Sequence, residues 1–291
     1  MLKTLVIFNP VARGEKSQRL RAFLEAKRGA TVDLAPTRCA GDAQVLAAEG
    51  VAKGYEVIVA AGGDGTVNEV INGLQGAKGK VALGVLPMGT VNVFALELGI
   101  PYKLEAAWRV IEGGKVRTID LGCAEAQGRR RYFGQLAGVG FDAQTVHTNS
   151  WELKKKIGSL SYIWAALKVF WEAPRVVEVT PGGKGSIVLI GNGRLYGGRL
   201  ALFPEARMDD GKLDVCVFEG WSTLAMMRYL MGVLRGKHTR LADVKYFQAE
   251  AFECRGEAGT VMYELDGELV GEAPVRFSVV RGGLRVVVPE G

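Results

Sequence analysis

Ala60-Ala61-Gly62-Gly63-Asp64-Gly65-Thr66-Val67-Asn68-Glu69-Val70 follows an apolar run, Val57-Ile58-Val59, that reads as a buried strand. It leads into Val67, Val70, Ile71 and Leu74, whose spacing is that of one helix face. Three glycines therefore stand at a strand-to-helix junction. Glycine permits close backbone approach. The N–H groups and dipole at a helix start favour a phosphate. A tight βα turn capped by Asp64 or Thr66 accounts for the same residues without any ligand.

The flanking sequence repeats this rhythm. Leu5 to Phe8 reads as a strand ending at Asn9-Pro10, and a basic helix follows. Thr31 to Ala35 is a second strand, with Thr37 just beyond it and a helix from Gly41-Asp42. Glu56 to Ala60 is the third strand. Val81 to Pro87 is the fourth, ending at Met88-Gly89-Thr90 before another helix. Short βα connections of this kind predict a parallel sheet with helices on its faces. Ligands in such sheets lie at the carboxyl ends of the strands. Asn9, Thr37, Gly62 to Thr66, Gly89 and Thr90 all fall there, and four such strand ends point to a ligand more strongly than one glycine-rich turn.

Near residue 116 the pattern changes. Short strands separated by glycine-rich turns run from Val116 to Phe218, with helical stretches at about 150–172 and 221–235. Further strands are expected at 243–254, 260–265, 274–280 and 284–288. This half predicts an antiparallel sandwich.

The chain of 291 residues is 48% hydrophobic and 23% charged, as in a folded protein, and carries a net charge of +6. That charge suits anionic partners without choosing among nucleotides, nucleic acid and acidic headgroups. Arg129-Arg130-Arg131 reads as a hairpin tip. Four dispersed cysteines and two histidines argue against a disulfide framework and a structural zinc site, and a reducing cytoplasm fits them best. Cys216 reads as a core residue of a strand. The N-terminus reads as a strand rather than a leader, and no apolar run reaches the roughly 18 residues of a membrane span. Gly138-Val139-Gly140-Phe141-Asp142-Ala143 partly fits a dinucleotide fingerprint but lies among antiparallel strands. No Walker A motif or Ser-His-Asp triad has local support.

Acidic turns remain. Met208-Asp209-Asp210-Gly211-Lys212 reads as a turn, or as carboxylates for a hard cation such as Mg²⁺. Leu265-Asp266-Gly267-Glu268-Leu269 reads as a hairpin. If its backbone stayed extended, Asp266 and Glu268 would share one side. A kinase needs such a carboxylate to orient or deprotonate an attacking hydroxyl. Trp151 to Trp171 is basic at its start and aromatic. It reads as a helix packed on the sandwich or as a membrane-surface contact. Trp221 to Lys237 is a second such candidate, and it equally suits the wall of an apolar cleft.

Taken in order, these motifs resemble the diacylglycerol kinase catalytic-domain family, specifically its bacterial lipid kinases related to sphingosine kinases. The resemblance runs from Asn9-Pro10 to Asp266-Gly267-Glu268. It is carried by Gly62 to Val70, Leu86 to Ala95, Gly138 to Ala143, Gly191-Asn192, Tyr196-Gly197-Gly198, Pro204-Glu205-Ala206 and Asp209-Asp210-Gly211.

It implies an α/β nucleotide domain, 1–118 completed by 284–291, and a β-sandwich domain, 119–283. The active site would lie in the interdomain cleft. By resemblance, Asn9, Thr37, Gly62, Gly63, Asp64, Gly65, Thr66, Val67, Asn68, Glu69, Gly89 and Thr90 hold ATP. Glu268 is the general base with Asp266 beside it. Mg²⁺ takes the Asp210 carboxylate and the backbone carbonyls of Arg207 and Lys212.

The implied function is transfer of the γ-phosphoryl of ATP to a lipid hydroxyl such as that of diacylglycerol. The expected setting is the cytoplasm, transiently at the inner membrane surface as a peripheral protein. A homodimer is compatible, and no nucleic-acid partner is expected. One departure is plain: the family usually has Asp where this chain has Val93, so Asp64 and Glu69 are left for the metal chemistry. The alternatives are an NAD-kinase-like enzyme with a soluble acceptor and a non-catalytic, nucleotide-responsive membrane regulator.

Overall fold

A computed structural model describes residues 2–10, 15–77, 79–140 and 175–290, with the backbone alone for 15–17. The chain divides into two compact units, 1–120 with 281–291, and 121–280.

In the first unit, β1 (Thr4–Phe8), β2 (Val32–Pro36), β3 (Val57–Gly62) and β4 (Ala82–Pro87) form a parallel sheet in the order β2-β1-β3-β4. The last strand of the chain adds to β4 in parallel, pairing Arg285 with Ala82 and Val286 with Leu83. Every residue of β1, β3 and β4 is buried. Their sequences are continuous apolar runs because helices cover both faces of such a sheet.

Around the sheet lie α1 (Glu15–Lys27), α2 (Asp42–Ala52), α3 (Asp64–Leu74), α4 (Val93–Glu97) and α5 (Leu104–Gly113). Phe23 of α1 meets the buried Trp108 of α5 edge-on, with ring centroids 6.0 Å apart. α2 and α3 touch through Gly73, where a Cβ would stand 2.3 Å from the Gln44 carbonyl oxygen. Buried Asp120 accepts a hydrogen bond from the Gly282 amide, 2.7 Å, and so ties the C-terminal strand into this unit.

The second unit is the antiparallel sandwich. Its strands are β6 (Arg129–Phe133), β7 (Leu136–Gly140), β8 (Val177–Thr180), β9 (Gly183–Gly185), β10 (Ile187–Gly191), β13 (Leu213–Phe218), β14 (Val244–Ala249), β15 (Ala251–Gly256), β16 (Met262–Leu265) and β17 (Glu268–Glu272). A short ribbon, β11 (Leu195–Tyr196) with β12 (Leu200–Ala201), stands apart. Two long strands cross the unit boundary: β5 (Lys115–Ala126) and β18 (Val275–Val288).

One sheet runs β14-β13-β10-β7-β16-β17; in the other, β15 lies between β18 and β8, with β9 at the edge. Val139, Val188 and Val215 of the first sheet share a core with Phe252, Cys254 and Phe277 of the second. The Phe252 and Phe277 rings stack at 5.4 Å. Cys216 is fully buried in β13, as its sequence context suggested.

Several expected boundaries shift. The third strand extends through Gly62, because it keeps pairing with β4 as far as Pro87. The stretch expected as one strand at 243–254 breaks at Glu250. β14 then pairs with β13 in one sheet and β15 with β18 in the other. Conversely, the two expected C-terminal strands are one, β18. Arg129 to Arg131 lie within β6; the tip is Gln127-Gly128, whose φ values are 50 and 73°. A helix, α6 (Thr223–Leu234), matches the stretch expected at 221–235. The segment from Trp151 to Trp171 lies outside the described residues.

Candidate functional site

The carboxyl ends of the first unit's strands are built from close backbone contacts. The Thr37 amide donates to the Phe8 carbonyl, 2.9 Å, and the Met88 amide to the Gly62 carbonyl, 2.9 Å. A Cβ on Gly62 would stand 2.4 Å from Thr66 Oγ1. A Cβ on Gly89 would stand 2.7 Å from the Gly63 Cα. The loops after β3 and β4 thus meet glycine to glycine, with no side chain between them.

Asn92 fixes the second loop. It is buried in the left-handed conformation (φ 53°). Its Oδ1 accepts from the Gly89 amide, 2.8 Å, and its Nδ2 donates to the Gly89 carbonyl, 2.9 Å. The sequence placed Asn92 within a motif without giving it this role.

The N-cap of α3 is Gly63, so neither Asp64 nor Thr66 caps the helix as a ligand-free βα turn would have it. A glycine cap supplies no side-chain acceptor of its own to the first turn, the arrangement that suits a phosphate oxygen. Gly63, Asp64, Gly65 and Thr66 are half-buried, whereas Val67 and Asn68 are buried on the inner side of α3. Asn9 and Thr90 are exposed and Thr37 is buried.

Asp64 Oδ1 accepts from the Phe94 amide at 3.4 Å, at the start of α4. Val93 is buried there. Glu69 bridges to another helix: its Oε1 accepts from the Gly41 amide, 2.9 Å, and its Oε2 from the Ala43 amide, 3.0 Å. Both carboxylate oxygens therefore hold the N-terminus of α2, where the helix dipole favours negative charge. Glu69→Ala leaves those two amides without their acceptor. It should lower the unfolding free energy by about 2 kcal/mol, which denaturant titration would read.

In the second unit the hairpin between β16 and β17 carries three carboxylates. Asp266 (φ 49°) and Gly267 (φ 85°) are both left-handed, as a two-residue hairpin turn demands. The backbone is therefore not extended, and the expected alternation of Asp266 with Glu268 does not hold. The Asp266 carboxylate accepts three backbone amides: Gly134 at 2.8 Å, and Gln135 and Leu136 at 3.0 Å each. Its own amide donates to the Leu136 carbonyl, 2.9 Å. Glu264, which the sequence reading did not single out, is fully buried and accepts from the Gly267 amide, 2.6 Å. Of the three, only Glu268, at the start of β17, is exposed.

Asp266 thus anchors the hairpin that presents Glu268. Asp266→Ala should cost about 3 kcal/mol of stability or more, because three amides lose one acceptor. Chemical unfolding of that variant beside Glu268→Gln would separate the anchoring group from a chemically active one.

The loop before β13 places Asp210 half-buried, its Oδ1 accepting from the Lys212 amide, 3.0 Å. Arg207 Nε lies 3.5 Å from Asp209 Oδ1. Behind the loop, buried Asp214 accepts from the Tyr246 hydroxyl and from Gln248 Nε2, 3.2 Å. Burial pushes the Asp214 carboxyl above its usual range, the two hydrogen bonds draw it back, and the Asp210 charge adds to the rise. Among the described residues no three His, Cys, Asp or Glu side chains cluster as a metal site. The expected set, the Asp210 carboxylate with the Arg207 and Lys212 carbonyls, is all oxygen, the ligand type that Mg²⁺ takes.

Comparison with known proteins agrees with the two-part fold. Residues 3–124 match the model of the diacylglycerol kinase catalytic domain. Residues 136–288 match that of the YegS C-terminal NAD kinase beta sandwich-like domain. A protein named diacylglycerol kinase from Bacillus subtilis is 32% identical, covering 100% of this chain and 97% of the relative. One from Pseudomonas aeruginosa, named "Probable lipid kinase YegS-like", is 33% identical over 99% of this chain and 95% of its own. A crystal structure of a diacylglycerol kinase from Bacillus anthracis superposes with a TM-score of 0.78 at 26% identity, covering 98% of this chain and 96% of that one. These likenesses define the class, phosphotransferases with an alcohol acceptor. The chain belongs to the diacylglycerol kinase catalytic-domain family.

Proposed function

We propose that this chain transfers the γ-phosphoryl group of ATP to a hydroxyl of a lipid such as diacylglycerol. The observation that carries the nucleotide half is the contact of Gly63 with Gly89, which leaves a bare backbone floor at the start of α3. Phosphate oxygens of ATP lie against the Gly62 to Thr66 backbone, with Asn9, Thr37 and Thr90 at the neighbouring strand ends. Val67, Asn68 and Glu69 serve that site indirectly, by packing α3 and holding α2. We assign this role to 1–118 with 284–291, and the acceptor-side role to 119–283.

Glu268 accepts the proton of the attacking hydroxyl, and the anchored Asp266 keeps it in position. Most of the rate then comes from placement and charge stabilisation. When bound, Mg²⁺ would supply charge neutralisation at the phosphates, and the Asp210 carboxylate with the Arg207 and Lys212 carbonyls would hold a structural ion. The printed names of the relatives support the lipid acceptor. Among the described residues no helix is long and apolar enough to cross a membrane. A peripheral, transient association from the cytoplasm is the matching proposal.

The test presents diacylglycerol, phosphatidylglycerol, a sphingoid base and an undecaprenyl-type alcohol in separate detergent micelles with ATP, with NAD as a soluble acceptor. Transfer to one of the lipids supports the reading; transfer to NAD alone overturns it.

A further inference from the structure

Among the described residues of the second unit, α6 is packed by one face and bare on the other. Ser222 caps the helix, its Oγ accepting from the Ala225 amide at 3.1 Å. Ala225, Tyr229 and Gly232 are buried. The Tyr229 ring packs 4.9 Å from that of Phe218, and the Tyr229 hydroxyl accepts from the Gly220 amide, 2.8 Å, and donates to Asp243. On the opposite side Leu224 is 70% exposed, Met227, Leu230 and Leu234 56% each, and Met231 43%.

At 3.6 residues per turn these five span an arc of about 120°. Among the described residues of this unit, no other large apolar side chain is exposed. The stripe is therefore concentrated on one helix rather than scattered over the surface.

Charge says what covers it. From Trp221 to Ala242 the chain has four cations, Arg228, Arg235, Lys237 and Arg240, and no carboxylate. Arg228 is paired with Asp243. Arg235, Lys237 and Arg240 are exposed just beyond the apolar stripe. A second copy packed on this face by two-fold symmetry would bring the same segment, with no carboxylate to pair with these cations. An anionic bilayer surface answers both features, taking apolar side chains at its acyl boundary and cations at its phosphates.

We propose that α6 is the element that docks this enzyme on an anionic lipid surface. Leu224, Met227, Leu230, Met231 and Leu234 enter the interface, and Arg235, Lys237 and Arg240 meet the headgroup phosphates. This deepens the lipid-kinase reading and rests on it for its purpose, but the docking itself is read without turnover.

The full chain is sedimented with vesicles of phosphatidylcholine alone and of phosphatidylcholine with phosphatidylglycerol. Met227→Glu with Leu230→Glu should lower partition onto the mixed vesicles at least about tenfold, with an unchanged far-UV circular dichroism spectrum. Replacing Arg235, Lys237 and Arg240 by Ala should remove most of the preference for mixed over neutral vesicles, about fivefold for each cation. Both variants should keep the wild-type kcat on a water-soluble short-chain acceptor. Unchanged partition of the Glu variant, or no wild-type binding to either vesicle, overturns the proposal. So does a wild-type dimer in sedimentation velocity that the Glu variant splits without a change in partition. Binding lost in the Glu variant while no form transfers phosphate supports docking and counts against the kinase reading instead.

Discussion

Glu268→Gln should lower kcat by at least about 10²-fold, the usual scale for removing a general base, while the unfolding midpoint stays within experimental error. The two halves of that result have different origins. Glu268 is exposed at the first position of β17, and exchange for an isosteric amide at such a site changes stability by roughly 0.5 kcal/mol at most. The amide cannot accept the proton of a lipid hydroxyl. The neighbouring carboxylates do not substitute for it: Asp266 is committed to three backbone amides, and Glu264 is buried beneath the turn. Turnover near the wild-type rate on the true acceptor would remove Glu268 from the mechanism. A large loss of stability would make it a structural residue.

Asp64→Ala should also cut kcat by at least about 10²-fold, consistent with loss of a charged group at a site of developing charge. It is the one carboxylate in the first turn of α3, and the buried Val93 offers none from the start of α4. Its bond to the Phe94 amide is long, 3.4 Å, so its loss should cost only about 1 kcal/mol in stability. Kinetics at several Mg²⁺ concentrations, beside a thermal melt, separate the two effects. If excess Mg²⁺ leaves the deficit unchanged, Asp64 acts on the phosphates' surroundings rather than on metal recruitment. Normal turnover at every Mg²⁺ concentration would exclude both roles.

The parallel half was legible because β1, β3 and β4 are buried on both faces. Burial of that kind writes continuous apolar runs into the sequence, and the glycines mark where each run ends. What those glycines touch was not legible. The contact of Gly63 with Gly89 joins two loops whose pairing only the fold reveals. Glu69 had the sequence position of a site residue, yet its oxygens reach the Gly41 and Ala43 amides 28 and 26 residues earlier.

In the sandwich, Asp266-Gly267 correctly signalled a hairpin. The left-handed φ that such a turn requires is what voids the extended alternation inferred for Asp266 and Glu268. The partners of Asp266 lie 130 to 132 residues away, beyond any local pattern. Glu264 was missed because β16 is buried on both sides at that point, so period two gives no signal there. The helix at α6 was legible from composition, but which of its faces is bare follows only from where Tyr229 and Gly232 are packed.

The most direct measurement is incubation of the purified chain with ATP labelled at the γ-phosphate and a total lipid extract, followed by mass identification of every labelled species. Label is expected in a lipid one phosphoryl group heavier than a hydroxyl-bearing lipid of the extract, and in none when Glu268→Gln replaces the wild type. Label that stays in ATP and free phosphate, or that enters only water-soluble products, would contradict it.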